Sequence, residues 1–189
     1  KMGCESSAET MSKKKIVLSY FDLYGRAEPI RMLLSHAKVD FVDDRVANEA
    51  WPALKAGKFA AAGSMPVLTL NNGKMLNQTF PILRLLARQY GYYPTNVEVQ
   101  LEHDWVCDEY ADCFPKIADA IFFEKDPTKK AEKGDELFSK LLPGFLEKIK
   151  KYLNSPGKFL FGDALTLADF VVGKMYTDYF NNPNSPAGP

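Results

Sequence analysis

With 189 residues the chain has room for one large domain or two small ones. Hydrophobic residues make up 46% and aromatics 13%, enough to bury a core and to exclude a chain that stays disordered. Lys plus Arg and Asp plus Glu balance at 24 each, so there is no surplus positive charge to hold a nucleic acid, and no apolar run approaches the roughly 18 residues that would span a bilayer.

No secretory h-region opens the chain. Residues Lys1 to Lys15 are small and polar and close on a Ser-Lys-Lys-Lys cluster, the composition of a flexible tail. Ile16-Val17-Leu18-Ser19-Tyr20-Phe21 is apolar and rich in β-formers, which predicts a buried strand, and Asp22 to Gly25 reads as a turn. The next segment places Ile30, Leu33, Leu34 and Ala37 on one helical face. Glu28 and Pro29 fall in its first turn, where an acid suits the dipole and proline costs no hydrogen bond. Phe41 to Val46 predicts a second strand. Pro66–Leu70 and Lys74–Leu76 predict a hairpin closed by Asn71-Asn72-Gly73. From Thr79 to Tyr90 the spacing of Ile82, Leu85, Leu86 and Tyr90 predicts a helix that Gly91 stops. To this point the pattern is that of an α/β unit.

After Tyr92-Tyr93-Pro94 only helical periodicity remains. Residues from Thr95 to Phe123 read as one long amphipathic helix kinked at Pro115, and Lys125 to Lys133 as a charged, proline-containing connection. Leu137, Leu141, Leu142, Phe145, Leu146, Ile149 and Leu153 recur at helical spacing. Thr166 with Asp169 three residues on is a capping-box variant opening a helix that runs to Phe180. Asn181 to Pro189 reads as loop. The chain thus divides into a tail (1–14), an α/β domain (15–92) and an all-helical domain (93–189).

The chemistry-bearing residues are sparse. Cys4, Cys107 and Cys113 include no CxxC pair, which argues against a disulfide framework or zinc site and for a reducing compartment. His36 and His103 are too few for a histidine-rich metal site, and no Ser-His-Asp set or glycine-rich phosphate loop is present. No metal is expected.

Tyr20-Phe21 followed by Gly25-Arg26-Ala27-Glu28-Pro29-Ile30-Arg31 resembles the opening of cytosolic glutathione S-transferases, the sigma class in particular. Ser64-Met65-Pro66-Val67-Leu68 is similar to the family's cis-proline segment, and Met75-Leu76-Asn77-Gln78-Thr79 to its glutathione-binding turn. Gly162-Asp163-Ala164-Leu165-Thr166-Leu167-Ala168-Asp169-Phe170 is similar to the capping box and staple of its second domain. These motifs stand in the family's order across residues 15 to 180. The resemblance implies a thioredoxin-like domain followed by a helical one, and a cytoplasmic detoxifying transferase that uses glutathione as co-substrate. The chain stops soon after the last motif, whereas family members continue through one or two more helices, so a shortened helical domain is expected.

What the resemblance implies for single residues follows. The Tyr20 hydroxyl would donate to the glutathione sulfur. Arg26 would brace the site, and Trp51 and Lys55 would reach the glycyl carboxylate. Met65 would offer its backbone N–H and C=O to the cysteinyl part, held by a cis Pro66. Gln78 and Thr79, the latter standing where Ser is usual, would bind the γ-glutamyl carboxylate. An acid from a second copy of the chain, Asp108 or Glu109, would complete the γ-glutamyl site in a homodimer. Asp104, Asp108 and Asp112 form an acidic stripe that asks for a cation, a ligand or a partner chain. Phe21, Tyr110, Phe114, Tyr176 and Phe180 suit either a pocket for a hydrophobic electrophile or the core. Met2-Gly3-Cys4 with Lys13-Lys14-Lys15 fits an acylated, membrane-anchored tail provided Gly3 becomes the terminus. The alternative function is that of a transferase-like subunit with a structural role in a larger assembly.

Overall fold

The computed structural model describes residues 15–59, 61–175 and 177. The tail with Gly3 and Cys4, together with Tyr176 and Phe180, lies outside the described residues. Strand β1 (Ile16–Phe21) is the second of four in a mixed sheet ordered β2-β1-β3-β4. It runs parallel to β2 (Phe41–Val46) and antiparallel to β3 (Val67–Thr69), which pairs antiparallel with β4 (Met75–Asn77). A parallel pair needs a crossover, and α1 (Glu28–His36) supplies it. Ile30, Leu33 and Leu34 of α1 are fully buried with Leu18 and Leu68 of the sheet. This is the thioredoxin-like α/β architecture expected. In α3 (Thr79–Tyr90) the buried face is Ile82, Leu83, Leu86 and Ala87, while Leu85, expected inside, is 39% exposed. Gly91 ends α3 at φ 81°.

Two stretches differ from the sequence reading. Trp51–Ala56, to which the sequence pattern assigns no element, forms the short helix α2 with Pro52 in its first turn. Pro127–Glu136, read as a connection, is the helix α5: Asp126 caps it by accepting the Lys129 amide at 3.0 Å, and Pro127 occupies the position where proline is harmless. The charge of this segment suits a helix with no buried residue. The long helix α4 (Val97–Ala118) starts two residues later than expected, because Asn96 accepts the Glu98 and Val99 amides. Pro115 sits inside it, and the chain continues through a π-helical turn, Asp119–Phe123. A second π turn, Leu137–Leu141, leads into α6 (Leu142–Leu153). The last described helix is α7 (Leu167–Met175), and the residues beyond Met175 assigned to it by periodicity lie almost wholly outside the described residues.

His103 of α4 fastens α7. Its ring is fully buried, and Nε2 accepts the Ala168 amide at 3.2 Å, which places the proton on Nδ1, 3.4 Å from the Asp104 carboxylate. Burial lowers the His103 pKa from the ordinary imidazole value, and the opposing pull of Asp104 does not restore it. A depressed imidazole pKa means that the unfolded chain takes up a proton at a pH where the folded chain does not. Stability should therefore fall as pH drops below about 6.5, by at most about 1.4 kcal/mol per pH unit, until the folded-state pKa is passed. Urea unfolding of the wild type and His103→Gln at pH 7.5 and 5.5 checks this, and only the wild type should show the histidine component. Equal pH dependence in both would remove His103 from the acid response.

Candidate functional site

Three segments meet at one end of the sheet. After Tyr20 the chain turns through a 3-10 helix, Gly25–Ala27, that opens with Gly25 at φ +44°. A side chain at Gly25 would begin 2.8 Å from the Tyr20 hydroxyl and 2.5 Å from Leu23 Cδ1, so only glycine lets the backbone pass this close. The approach delivers the Arg26 amide to the Tyr20 hydroxyl oxygen at 3.1 Å. The Tyr20 ring itself is buried, edge-on to Phe21 at 5.6 Å.

The second segment is Ser64-Met65-Pro66, with a cis Met65–Pro66 peptide as expected. Pairing of Val67 with Asn77 brings it beside the third, the start of α3. Asn77 Nδ2 donates to the Ala62 carbonyl and, at 3.4 Å, to Ser64 Oγ, which ties the two together. Gln78 takes φ +72°, a conformation costly to a residue with a side chain and met mostly at functional sites. No side chain caps α3, so its first amides stay open beside Thr79, and an uncapped helix N-terminus suits an anion. Thr79 Oγ1 donates to the Arg26 carbonyl at 3.3 Å and closes the ring of segments.

Arg26, Ser64, Met65, Pro66, Gln78 and Thr79 together line a cleft of about 350 Å³. Six of the positions marked in the sequence are thus gathered, counting Tyr20 behind Arg26. Trp51 and Lys55 are not among the lining residues. Trp51 is half-buried between Phe21, at 5.9 Å, and Phe59, at 6.4 Å, and Lys55 is exposed one turn on. A second, narrow pocket shares Arg26 and Thr79 with the cleft and continues it towards Tyr110, Phe114, Val171 and Lys174. The Arg26 guanidinium lies 4.4 Å from the centre of the Phe114 ring. Of the aromatics named from sequence, Tyr110 and Phe114 reach this pocket, whereas Phe21 packs against Tyr20 and Trp51.

Two of the three acids in the α4 stripe share a cation. Arg84 of α3 binds Asp104 at 3.0 Å and Asp108 at 2.7 Å, and the Tyr93 hydroxyl donates to Asp104 at 2.6 Å. Burial works to raise the Asp104 pKa, but the hydrogen bonds from Tyr93 and Arg84 outweigh it and hold the carboxyl below its usual value. Asp108 remains 63% exposed in its side chain beside Arg84, whereas Glu109 is 22% exposed and turned to Lys148 of α6.

The periodicity arguments missed two buried cations. Lys174, read as one more residue of the last helix, is 1% exposed and donates from Nζ to the Tyr110 hydroxyl at 3.1 Å. Arg31 is 6% exposed and ion-paired to Glu28 at 3.0 Å and Asp43 at 2.9 Å. Its signal was present: an acid three residues back on the same helix, and the acids Asp43 and Asp44 in the neighbouring strand.

Comparison with known proteins bears directly on this arrangement. Residues 111–188 match the family model for the glutathione S-transferase C-terminal domain. Over 169 residues the chain is 32% identical to Glutathione S-transferase 4 of Caenorhabditis elegans, covering 87% of this chain and 80% of that one. S-crystallin 2 of Enteroctopus dofleini is 28% identical, with 82% of this chain and 76% of that one covered. Among solved structures, prostaglandin synthase D of Nilaparvata lugens superposes with a TM-score of 0.75 at 29% identity, over 86% of this chain and 82% of that one. A mixed four-stranded sheet followed by helices, a cis-proline segment facing an uncapped helix start, and relatives of this similarity along most of the chain place it in the glutathione S-transferase family.

Proposed function

We propose that the chain is a glutathione transferase that conjugates or isomerises hydrophobic electrophiles, with the Tyr20 hydroxyl holding the glutathione sulfur as a thiolate. One observation carries this reading: the Tyr20 oxygen accepts the Arg26 amide at 3.1 Å, so its own proton is left for a second acceptor. A free thiol has a pKa of about 8.5 and is mostly protonated at neutral pH. A hydrogen bond donated to sulfur favours the thiolate, which attacks an electrophilic carbon while the leaving group departs with its bonding pair. In an isomerisation the sulfur is expelled again after the substrate has rearranged.

The remaining assignments follow the cleft. Met65 presents its backbone to the cysteinyl part, and Gln78 with the open amides at Thr79 takes the γ-glutamyl carboxylate. Arg26 closes the side towards the electrophile. Trp51 and Lys55 are proposed for the glycyl carboxylate; Lys55 makes no ion pair among the described residues, but its distance from the cleft lining makes it the weaker arm. Residues 15–92 act as the glutathione-binding domain and residues 93–189 as the helical domain. For the γ-glutamyl amine we propose Asp108 of a second copy in a homodimer. Both acids are ion-paired within the chain, Asp108 to Arg84 and Glu109 to Lys148, but Asp108 keeps the more exposed carboxylate. The two described cysteines are both free thiols, which suits a cytoplasmic location, and no helix among the described residues is long and apolar enough to cross a membrane.

Calorimetric titration with glutathione tests the reading. Gln78→Ala should weaken binding by about 1–3 kcal/mol, because a desolvated charged end loses a hydrogen-bond partner. Wild-type affinity in the variant would put the γ-glutamyl site elsewhere. Light scattering on the same samples should give a dimer. A monomer that binds no glutathione would overturn the enzyme and leave the structural subunit.

A further inference from the structure

Arg31 stands behind Tyr20, and the reading above gives it no task. Its guanidinium is withdrawn from water, with 7% of the side chain exposed, so each contact it makes has to compensate desolvation of a permanent charge. Nε donates to Asp43 on β2 at 2.9 Å, and Nη1 donates to Glu28 at 3.0 Å. Nη1 also donates to two main-chain carbonyls, Leu23 at 3.1 Å and Tyr24 at 3.3 Å. The centre of the guanidinium lies 5.8 Å from the centre of the Tyr20 ring. Nη2 is buried without a hydrogen-bond partner among the described residues.

Neutralising the charge would need only the two acids. The carbonyl contacts do something else. Leu23 and Tyr24 immediately precede Gly25 and Arg26, the turn that carries the Arg26 amide to the Tyr20 hydroxyl. That turn is crowded, with room for no side chain at Gly25, so a small displacement of Leu23 or Tyr24 moves the amide relative to the hydroxyl. Arg31 joins this turn to α1 and β2 through one planar, rigid fork, a task to which a lysine, with a single point charge, is unsuited.

We infer that Arg31 is the positioning residue for Tyr20: it clamps the 23–26 turn so that the Arg26 amide occupies one lone pair of the hydroxyl and the hydroxyl proton is directed at the glutathione sulfur. The inference rests on the proposal that Tyr20 donates to that sulfur. Asp43 is the second arm of the clamp.

The test measures two quantities in the wild type, Arg31→Lys, Asp43→Asn, Tyr20→Phe and the Tyr20→Phe/Arg31→Lys double variant. One is the pKa of the bound glutathione thiol, followed by the ultraviolet absorbance of the thiolate; the other is kcat and KM with an aromatic chloride. Arg31→Lys should raise the bound thiol pKa by about 0.5–1 unit and lower kcat roughly tenfold, with the KM for glutathione changed less than about threefold. In the Tyr20→Phe background it should add nothing, because a residue acting through the hydroxyl has nothing left to position. Asp43→Asn keeps Arg31 in place with a weaker tether and should shift both quantities in the same direction, which carries the test if Arg31→Lys does not fold. A residue that only stabilised the fold would lower the melting temperature and leave the thiol pKa alone. A wild-type pKa in both folded single variants of the clamp, or a shift that persists without the Tyr20 hydroxyl, overturns the inference while leaving Tyr20 in its role. An unshifted pKa in Tyr20→Phe overturns both.

Discussion

Tyr20→Phe is expected to keep glutathione affinity within about threefold while lowering turnover with an aromatic electrophile roughly 10- to 100-fold, or about 1.4–2.7 kcal/mol of transition-state stabilisation. The substitution removes one oxygen and nothing else of the packing. The ring stays buried edge-on to Phe21, and the space that Gly25 leaves open is not refilled. Affinity should hold because the proposed grip on the peptide lies mainly elsewhere, along Met65, Gln78 and Thr79 of the cleft. What changes is the charge state of the sulfur. Without a donor, the bound thiol pKa should rise by about one unit, so that less thiolate is present at neutral pH. The Arg26 amide, between the buried Gly25 and Ala27, also loses its acceptor. Initial rates across pH 6 to 9 read the effect directly: the deficit should shrink as pH rises and the thiol ionises unaided. A variant with the wild-type rate at neutral pH would take the hydroxyl out of the chemistry.

Much of this fold was legible because its signals are local. The run of β-formers in residues 16–21, the Gly91 stop of α3 and the Asn-Asn-Gly turn each act over a few residues, and each element formed where it was expected. Helix α5 escaped because its apolar stripe is absent: Asp126 and Pro127 open it, and cap chemistry was read as loop chemistry. Leu85 was misplaced for a different reason. Periodicity gives the spacing of a face but not which of two adjacent faces meets the sheet, and Leu83 took the buried place.

The site was legible only through its motifs. Nothing in composition or spacing marks Gln78, because its positive φ is a property of the turn between β4 and α3 and not of glutamine. The acidic stripe of α4 was seen as a problem awaiting a cation. That cation, Arg84, lies on another helix and could be assigned only once α3 and α4 were packed together. Lys174 shares this history, and for Arg31 the sequence offered acids nearby without showing that the charge is buried, which is a tertiary fact.

Asp169→Ala is expected to destabilise the folded chain by about 3 kcal/mol, because three hydrogen bonds to one carboxylate are lost together. Oδ2 takes both the Thr166 amide and the Thr166 hydroxyl at 2.8 Å, and Oδ1 takes the Leu160 amide at 2.8 Å. The first of these is half of the capping box expected from sequence. The other half is replaced, since the Thr166 hydroxyl donates to the carboxylate and the Asp169 amide donates to the Thr166 carbonyl at 3.2 Å instead, while the Ala168 amide is met by His103. The bond to Leu160 reaches back across the loop between α6 and α7, so the acid fixes both the start of α7 and the chain leading to it. Each charge-assisted bond is worth about 1.5–3 kcal/mol, but the three do not add: water can reach a half-buried site, and one collapse of the loop releases all of them. The negative charge in the first turn of α7 adds a favourable dipole term that the alanine also forfeits. Asp169→Asn should be nearly as damaging, since its amide nitrogen must face a donor it cannot accept from. Thr166→Val should cost only about 1 kcal/mol, the hydroxyl alone. For a chain of this length the alanine variant should melt roughly 6–12 °C below the wild type, with the glutathione affinity of the folded fraction unchanged because the cleft lies on other elements. A melting temperature within about 1 °C of the wild type would mean that the loop and α7 are held by packing of Leu167, Phe170 and Val171 alone.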